Sequence, residues 1–447
     1  MGDFTFKLRG NSKYRTMLIS LNNLVIISLF ICVILVRDIY GVSISKYFLI
    51  LLAFMLFLIN DKNIILGFFA FIIPISSGVS YNFIIGIGLL ILIIKNKENI
   101  KLKFSSVFYI LIILIIELLS SVYGYFSIGD FIRFLPFLLL ILVVMADKHE
   151  SYNHELILKF YLLGFIIMTI DIIGQTLKYY SFDEIILLGV RFGSTRQILD
   201  IYTEGQLISL NPNSLGVYSV IAISIGLLLY NINKSNVYIF IIIYTTVFGI
   251  MSQSRTFIIV FFFVIFFHLL TTSITVKKAL RSILLITLIL SIIYLIGTKL
   301  LPEYGVSFVK RFTEVNDLTN GRNEIMNFYF QGIFNEVNKM LFGVGIQNYN
   351  LKFDYLYSLH NATLEVVAIW GIVGFILICL LFRDFFRNAI RDYKYRIDKS
   401  SLTISLAFLI SIQSGQGFSI YNNILMLIIC YSSIRLGSLY EEKNRIS

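Results

Sequence analysis

The segment YSLHNATLE (357–365) places groups capable of acid–base chemistry at the start of a long apolar stretch. An imidazole titrates near neutral pH, so His360 could take a proton from a substrate hydroxyl. It could equally be a capping or interfacial histidine. Asn361 and Glu365 are one helical turn apart and therefore share a helix face. The sequence predicts a polar, chemically competent cluster where this helix begins.

Arginines occur in other polar segments that interrupt the apolar runs. Arg255 lies in SQSRT (252–256) and Arg322 lies in GRNEI (321–325), while Arg191 and Arg196 both lie in RFGSTRQ. A guanidinium can hold an anionic oxygen pair with two parallel hydrogen bonds. Arg322 also opens a predicted helix, whose N-terminus favours an anion. An anion site is therefore expected, although Arg255 alone could be an interfacial anchor.

Some charged residues lie at the edge of apolar runs, where ionisable groups are costly and functional roles are common. Arg133 is three residues after Asp130, so these two could pair on one helix face or Arg133 could contact substrate. No Asp-x-Asp sequence and no His/Cys cluster has the spacing of metal ligands, and no Walker-type loop is present. The sequence therefore predicts neither a metal nor a cofactor.

The elements that must position these residues are apolar helices. The 447-residue chain is 57% hydrophobic, and runs of apolar residues long enough to span a bilayer recur along it. A transmembrane barrel is excluded because the runs do not alternate. We predict an all-α polytopic transmembrane bundle of about 12–14 helices forming a single membrane domain over residues 1–447. The third predicted span, residues 63–75, could instead be re-entrant.

The distribution of lysine and arginine predicts the topology. Putting both termini in the cytoplasm collects most Lys and Arg in cytoplasmic segments. The net charge of +11 is then a topology signal rather than a sign of nucleic-acid binding. His360 becomes the only external histidine. Two long external loops remain, 178–212 and 297–361, and the second is expected to carry one amphipathic helix with Ile325, Phe328, Ile333, Val337 and Met340 on its apolar face, ending at Gly343 and Gly345.

The polar motifs, in their order, resemble the O-antigen polymerase/ligase superfamily of bacterial membrane glycosyltransferases. The matching segments are SQSRT, GRNEI followed by LFGVGIQNY (341–349), HNATLEVVAIWGIVG (360–374) and NPNSLG (211–216). The resemblance covers roughly the C-terminal half. The N-terminal half matches only as a membrane pattern with many helices.

The resemblance implies a metal-independent enzyme that acts on glycans carried by undecaprenyl pyrophosphate outside the bacterial cytoplasmic membrane. It makes His360 the candidate base and assigns Arg255 and Arg322 to the pyrophosphate. Arg191, Arg196, Asn361, Glu365 and Arg133 are weaker candidates for substrate contact. Glu365 could orient Asn361, contact sugar, or be a tolerated polar group. Attack opposite the pyrophosphate predicts inversion at the anomeric carbon.

A polysaccharide polymerase, which moves a growing glycan onto a lipid-linked repeat unit, is the leading hypothesis. The expected partners are the lipid-linked donor and acceptor, membrane lipid and a chain-length regulator protein, with no nucleic acid. An O-antigen or protein-glycan ligase is the alternative within the enzyme class. A flippase or transporter for lipid-linked sugars is the alternative from another class, and it should carry charges deep in a central cavity rather than at the external rim.

Overall fold

The computed structural model describes residues 21–75, 81–97, 102–119, 135–136, 138–144, 152–187, 190–193, 212–272, 280, 306, 322–346, 349–354, 359, 361–391, 399–414 and 421–446, and every regular element in these ranges is helical. We number the helices α1 (Leu21–Tyr40), α2 (Lys46–Ile59), α3 (Lys62–Ile75), α4 (Tyr81–Asn96), α5 (Phe104–Leu119), α6 (His154–Tyr179), α7 (Phe182–Leu187), α8 (Pro212–Asn233), α9 (Val237–Met251), α10 (Arg255–Thr272), α11 (Arg322–Phe334), α12 (Val337–Phe342), α13 (Ala362–Arg391), α14 (Leu402–Ser414) and α15 (Tyr421–Ile446).

Within the described residues, four helical stretches are long and apolar enough to cross a membrane: Asn22–Tyr40, His154–Tyr179, Pro212–Asn233 and Ala362–Arg387. Shorter apolar helices are also present. A 16-residue helix such as α5 is about 24 Å long, somewhat less than a hydrocarbon core of roughly 30 Å. The all-helical class is thus observed, and the number of crossings stays a prediction.

Helix starts are fixed by local polar side chains, as the backbone chemistry requires. The first N–H groups of a helix have no intrahelical acceptor, and Ser, Asn or Asp side chains commonly supply one. Asn153 accepts from Leu156 N at the start of α6 at 3.1 Å, and Ser45 accepts from Tyr47 N before α2. These caps set where the apolar spans begin.

Helix ends that the predicted topology places on the same side of the membrane are in contact with one another. Asn23, near the start of α1, hydrogen-bonds with Asn60 at the end of α2. Lys95, at the end of α4, donates to the carbonyl of Asn60 at 2.5 Å. Asn233, at the end of α8, donates to Glu155 near the start of α6 at 3.0 Å. The described contacts therefore agree with the predicted alternation of helix directions, without showing which end faces the cytoplasm.

Helix α3, the predicted third span, lies in the interior. Every residue from Ile64 to Ile75 is buried. The helix runs parallel to α6, because Asn63 pairs with Asn153 at the start of both and Phe71 meets Gly164 further along. A Cβ at Gly164 would lie 2.0 Å from the Phe71 carbonyl oxygen, so this glycine permits the close approach.

Helix α13 differs from the continuous helix expected over residues 362–382. Gly371 interrupts it with φ 68° and ψ −173°, outside the helical region. The physical reason is a second backbone: a Cβ at Gly371 would lie 2.2 Å from the carbonyl of Leu341. Only glycine accepts both this conformation and this approach.

The second long segment also differs from its prediction. Instead of one amphipathic helix, α11 and α12 are separate, with a break at residues 335–336. Tyr329 and Ile333 are the buried residues of α11, whereas Phe328 and Val337, expected on the apolar face, are 38% and 66% exposed. Residues 335–336 leave helical geometry, so a single helical periodicity does not describe both pieces. Gly343 does end α12, as predicted.

Candidate functional site

The SQSRT motif forms a buried turn between α9 and α10, which we call the serine turn (residues 252–254). Gln253 adopts φ 48°, and all of its three residues are buried. Ser252 Oγ donates to the Gly249 carbonyl at 2.6 Å, and Ser254 Oγ accepts from Phe257 N at 3.3 Å. Ser254 is therefore the N-cap of α10. The turn fixes Arg255 as the first residue of that helix.

Arg191 and Phe192, in the first long loop, contact this turn and the residue before it. Arg191 Nε donates to the Ser252 carbonyl at 3.1 Å, and Phe192 N donates to the Met251 carbonyl at 3.1 Å. The Phe192 ring also makes an edge contact with Phe248, with centroids 6.2 Å apart. Arg191 is thus bonded to the turn that immediately precedes Arg255.

The NPNSLG motif packs against the serine turn from the other side. Pro212 begins α8, which suits a residue without an N–H. Asn213 Oδ1 accepts from Ser254 Oγ at 3.2 Å. A Cβ at Gly216 would lie 2.8 Å from Ser254 Cβ, so glycine is needed for this contact. Two motifs separated in the sequence therefore form one packed unit.

The structure brings Arg322 into electrostatic range of Arg255. Arg322 is the first residue of α11, as Arg255 is of α10. Burial, together with the positive charge of Arg255, lowers the pKa of Arg322. The two guanidinium groups are thus close enough to repel one another at the N-termini of two helices. Such an arrangement attracts an anion.

Beyond α12, residues 343–346 form what we call the glycine loop, which packs on the broken part of α13. Val344 N donates to the Ala368 carbonyl at 3.0 Å, and Gly345 N donates to the Ile369 carbonyl at 2.8 Å. A Cβ at Gly343 would lie 2.3 Å from the Ile369 carbonyl oxygen. The N–H groups of the loop therefore occupy the carbonyls that the interruption of α13 leaves without helical partners.

Tyr349 links this loop to the start of α13. Its hydroxyl accepts from Leu359 N at 2.8 Å and is hydrogen-bonded to the carboxylate of Glu365, which is buried. Burial, followed by the negative charge of Glu365, raises the pKa of Tyr349, which therefore stays neutral. The contact with Tyr349 is not among the roles that the sequence predicts for Glu365.

Asn361 is the N-cap of α13. Its Oδ1 accepts from Leu364 N at 2.9 Å, and its Nδ2 donates to the Gln413 carbonyl at 3.5 Å. Thr363 Oγ1 donates to Gln413 Oε1 at 3.2 Å. The end of α14 thus holds the first turn of α13, immediately after position 360.

The predicted site residues divide into two groups. Arg191, Arg255 and Arg322 lie around the serine turn, and Asn361 and Glu365 lie in the first turn of α13. His360, Arg196 and Arg133 lie outside the described residues, as does Asp130. The contacts of Asn213, Ser254, Tyr349 and Gln413 are not predicted from the sequence. Asn213, Ser254 and Tyr349 are inside the quoted motifs, so their polar character was the available signal, whereas nothing marked Gln413.

In comparisons with known proteins, no family model and no curated protein matches this sequence. The chemistry of the site must therefore be argued from its own groups. Two arginines at helix N-termini can hold an anion, with a third arginine on the adjoining turn. Among the residues that the structure describes, no group of three or more His, Cys, Asp or Glu could hold a metal ion.

Proposed function

We propose that this chain is a bacterial polytopic membrane glycosyltransferase, a polysaccharide polymerase that uses a polyprenyl-pyrophosphate donor. The observation that carries the proposal is the approach of Arg322 to Arg255, each at the first residue of a helix. Two guanidinium groups near each other at helix N-termini favour the binding of an anion. A pyrophosphate joined to an apolar polyprenyl tail suits both this cationic site and the surrounding apolar helices.

The chemistry requires charge stabilisation and one proton transfer. As the bond between the anomeric carbon and the pyrophosphate oxygen breaks, negative charge accumulates on the leaving group. Arg255 and Arg322, held in place by their helices, stabilise that charge. His360 takes the proton from the acceptor hydroxyl, a contribution of roughly 10²–10⁴-fold. Attack from the face opposite the pyrophosphate inverts the anomeric centre. The reaction needs no metal in this scheme.

The enzyme works in the cytoplasmic membrane of a bacterium, with both termini in the cytoplasm and the site on the external side. It forms a bundle of 12–14 helices over the whole chain. Positive residues concentrate on the predicted cytoplasmic side, which supports this orientation. The polymerase assignment within the superfamily rests on the likeness of the composition to proteins from sugar-antigen gene clusters.

Deletion of the gene in its host tests the reaction class. Loss of a polymerase leaves surface acceptors capped with a single repeat unit on a glycan gel. Loss of a ligase instead leaves bare acceptor and accumulated lipid-linked polymer. Loss of a flippase traps repeat units on the cytoplasmic side. The first outcome is expected, and either of the others would replace the polymerase assignment.

Site variants test the chemistry. His360→Ala and Arg255→Ala should abolish the polymer while the protein remains at its normal level in the membrane. Arg387→Ala is the matched control, because this arginine is exposed near the far end of α13. Chains of normal length in a well-expressed His360→Ala strain would remove the histidine from the mechanism.

An assay of the purified protein in EDTA tests the metal dependence. Transfer should remain intact in EDTA, and a loss of transfer that a divalent cation restores would contradict a metal-free reaction.

A further inference from the structure

Glu117, in the last turn of α5, makes contacts with two segments far away in the sequence. It is 4% exposed, and both carboxyl oxygens accept from Ile346 N, at 3.0 and 3.1 Å. One of them also accepts from Trp370 Nε1 at 2.8 Å. A single side chain from the N-terminal half thus joins the glycine loop to the broken part of α13.

These contacts complete the hydrogen bonding of the glycine loop. Val344 N and Gly345 N are bonded to α13 carbonyls, and Glu117 is the acceptor for the next N–H, that of Ile346. Lys352 Nζ donates to the Val344 carbonyl at 2.5 Å. The N–H groups of Val344, Gly345 and Ile346 and the carbonyl of Val344 are therefore all hydrogen-bonded within the protein.

The depth of the junction explains why a side-chain acceptor is placed there. Trp370 lies about 12 Å along α13 from Ala362, at roughly 1.5 Å per residue. At the other end, Ser105 hydrogen-bonds with Asp384 at 3.2 Å. Glu117 lies about 18 Å along α5 from Ser105. In a hydrocarbon core of about 30 Å the junction lies below the outer surface, where irregular backbone must be satisfied by protein.

The junction is connected to the proposed reacting groups. The chain leaves the glycine loop and reaches Tyr349, whose hydroxyl holds Leu359 N and Glu365. Leu359 and Asn361 flank His360. A shift of the glycine loop would therefore move Tyr349 and the backbone next to the proposed base.

We propose that Glu117 is a positioning residue for glycosyl transfer, which holds the glycine loop against α13 and through Tyr349 fixes Leu359, the residue before the proposed base His360. The inference rests on the proposed function for the identity of the reaction. It assigns a catalytic consequence to a residue in the half of the chain that carries none of the superfamily motifs.

The chain contains a single tryptophan, Trp370, and its indole N–H is bonded to Glu117. Intrinsic fluorescence of the purified protein in detergent therefore reports this junction without a label. Glu117→Gln, whose amide nitrogen cannot accept, should shift the emission spectrum of Trp370. Glu336→Gln, which changes an exposed carboxylate bonded to Lys339, should leave the spectrum unchanged. An unshifted spectrum in Glu117→Gln would overturn the contact.

Transfer kinetics separate positioning from folding. The probe is lipid-linked glycan extracted from membranes of the deletion strain. Glu117→Gln should lower the rate at saturating glycan by about 10- to 100-fold, as misplacement of a reacting group by about 1 Å does. The concentration that gives half the maximal rate should be unchanged, because Arg255 and Arg322 lie on other helices. A wild-type rate alongside a shifted spectrum would overturn the positioning role.

A double-mutant cycle guards against a simple folding defect. Trp370→Phe removes one of the two donors to Glu117. If the carboxyl group acts by joining the two segments, the effects of Glu117→Gln and Trp370→Phe on the rate should be less than additive, whereas independent packing defects would add. Additive effects would overturn the proposal.

The two proposals fail in different ways. Inactive Arg255→Ala and His360→Ala proteins, together with a fully active Glu117→Gln protein, reject the positioning role and leave the proposed function standing. A fully active His360→Ala protein rejects the proposed mechanism, and the positioning role falls with it.

Discussion

Two arginines held near each other are the most informative feature at the scale of single residues. Arg322 has a pKa lowered by burial and by Arg255, so the repulsion is part of the folded state. The side chains are kept there by the serine turn and by the start of α11. Two guanidinium groups in this arrangement favour a multivalent anion, which would reduce their repulsion upon binding.

Arg322→Lys tests whether geometry or charge alone matters. Lysine keeps the positive charge but loses the planar pair of donors that binds two oxygens at once. We expect transfer to fall by about 10- to 100-fold, the equivalent of a lost charged hydrogen bond. The measurement is the rate of polymer formation from extracted lipid-linked glycan. Lys339→Ala, a cation change in the adjoining helix, serves as control and should keep the wild-type rate.

Tyr349→Phe tests the link between the glycine loop and α13. The substitution removes the acceptor of Leu359 N, which is buried, and a donor to Glu365. The cost of an unsatisfied buried group predicts a loss of about 1–3 kcal/mol in unfolding free energy. Thermal unfolding in detergent measures it.

The control for that variant is Tyr40→Phe, because Tyr40 is 74% exposed. The Tyr40→Phe variant should have the same melting temperature as the wild type. Equal melting of the Tyr349 and Tyr40 variants would show that the Tyr349 hydroxyl contributes nothing to the link.

At the scale of elements, the interruption of α13 is the main departure from the predicted helix. The apolar residues around Gly371 correctly predicted the span. The break depends on Leu341 and on the glycine loop. They precede Gly371 by some 30 residues, which corresponds to about eight turns of an α-helix. Glycine is common in membrane helices, so its presence gave no signal. Local periodicity predicts which residues are helical, but not where a distant backbone will replace helical hydrogen bonds.

Gly371→Ala should be among the most damaging small substitutions in this chain. The new methyl group would lie 2.2 Å from the Leu341 carbonyl at a residue with φ 68°. Backbone strain and overlap together predict a loss of about 2 kcal/mol or more in unfolding free energy. Gly86→Ala is the matched control, because its Cβ would lie 3.8 Å from Pro136, an ordinary contact. Similar melting temperatures of the two variants would mean that α13 is continuous.

The break also bears on the transporter hypothesis. Interrupted helices often mark transport sites, where free carbonyls coordinate the cargo. Here Val344 and Gly345 donate to the Ala368 and Ile369 carbonyls, so the protein itself occupies these groups. Glu117 fills the same junction. This arrangement favours a fixed scaffold for an external site over a moving gate.

At the scale of the whole molecule, the sequence predicted the helical class, but not the contacts between the motifs or the part played by the N-terminal half. Asn213 and Ser254 were quoted as motif residues, and they are in contact. Glu117 lies within an apolar run, and nothing in the surrounding sequence indicates its partners. Its partners, Ile346 and Trp370, are separated from it by more than half of the chain, and no local pattern predicts such a pairing.

Cysteine labelling tests the predicted orientation of the whole bundle. In a background where Cys32, Cys379 and Cys430 are replaced, Glu336→Cys and Lys97→Cys each supply one exposed thiol. In spheroplasts, a membrane-impermeant maleimide should modify the thiol at 336 and spare that at 97 until the cells are lysed. The reverse pattern would invert the topology and place the arginine site in the cytoplasm.

The junction of α13 with the glycine loop has a consequence for how the protein is made. Every group that completes the break at Gly371, from Glu117 to Gly345, precedes α13 in the chain. The partners have therefore already been synthesised when Trp370 and Gly371 are added to the chain. The apolar stretch can enter the bilayer as an ordinary helix, whose carbonyls are internally bonded, and exchange those bonds when it docks. Completion of the candidate site is thereby tied to the arrival of about the last fifth of the chain.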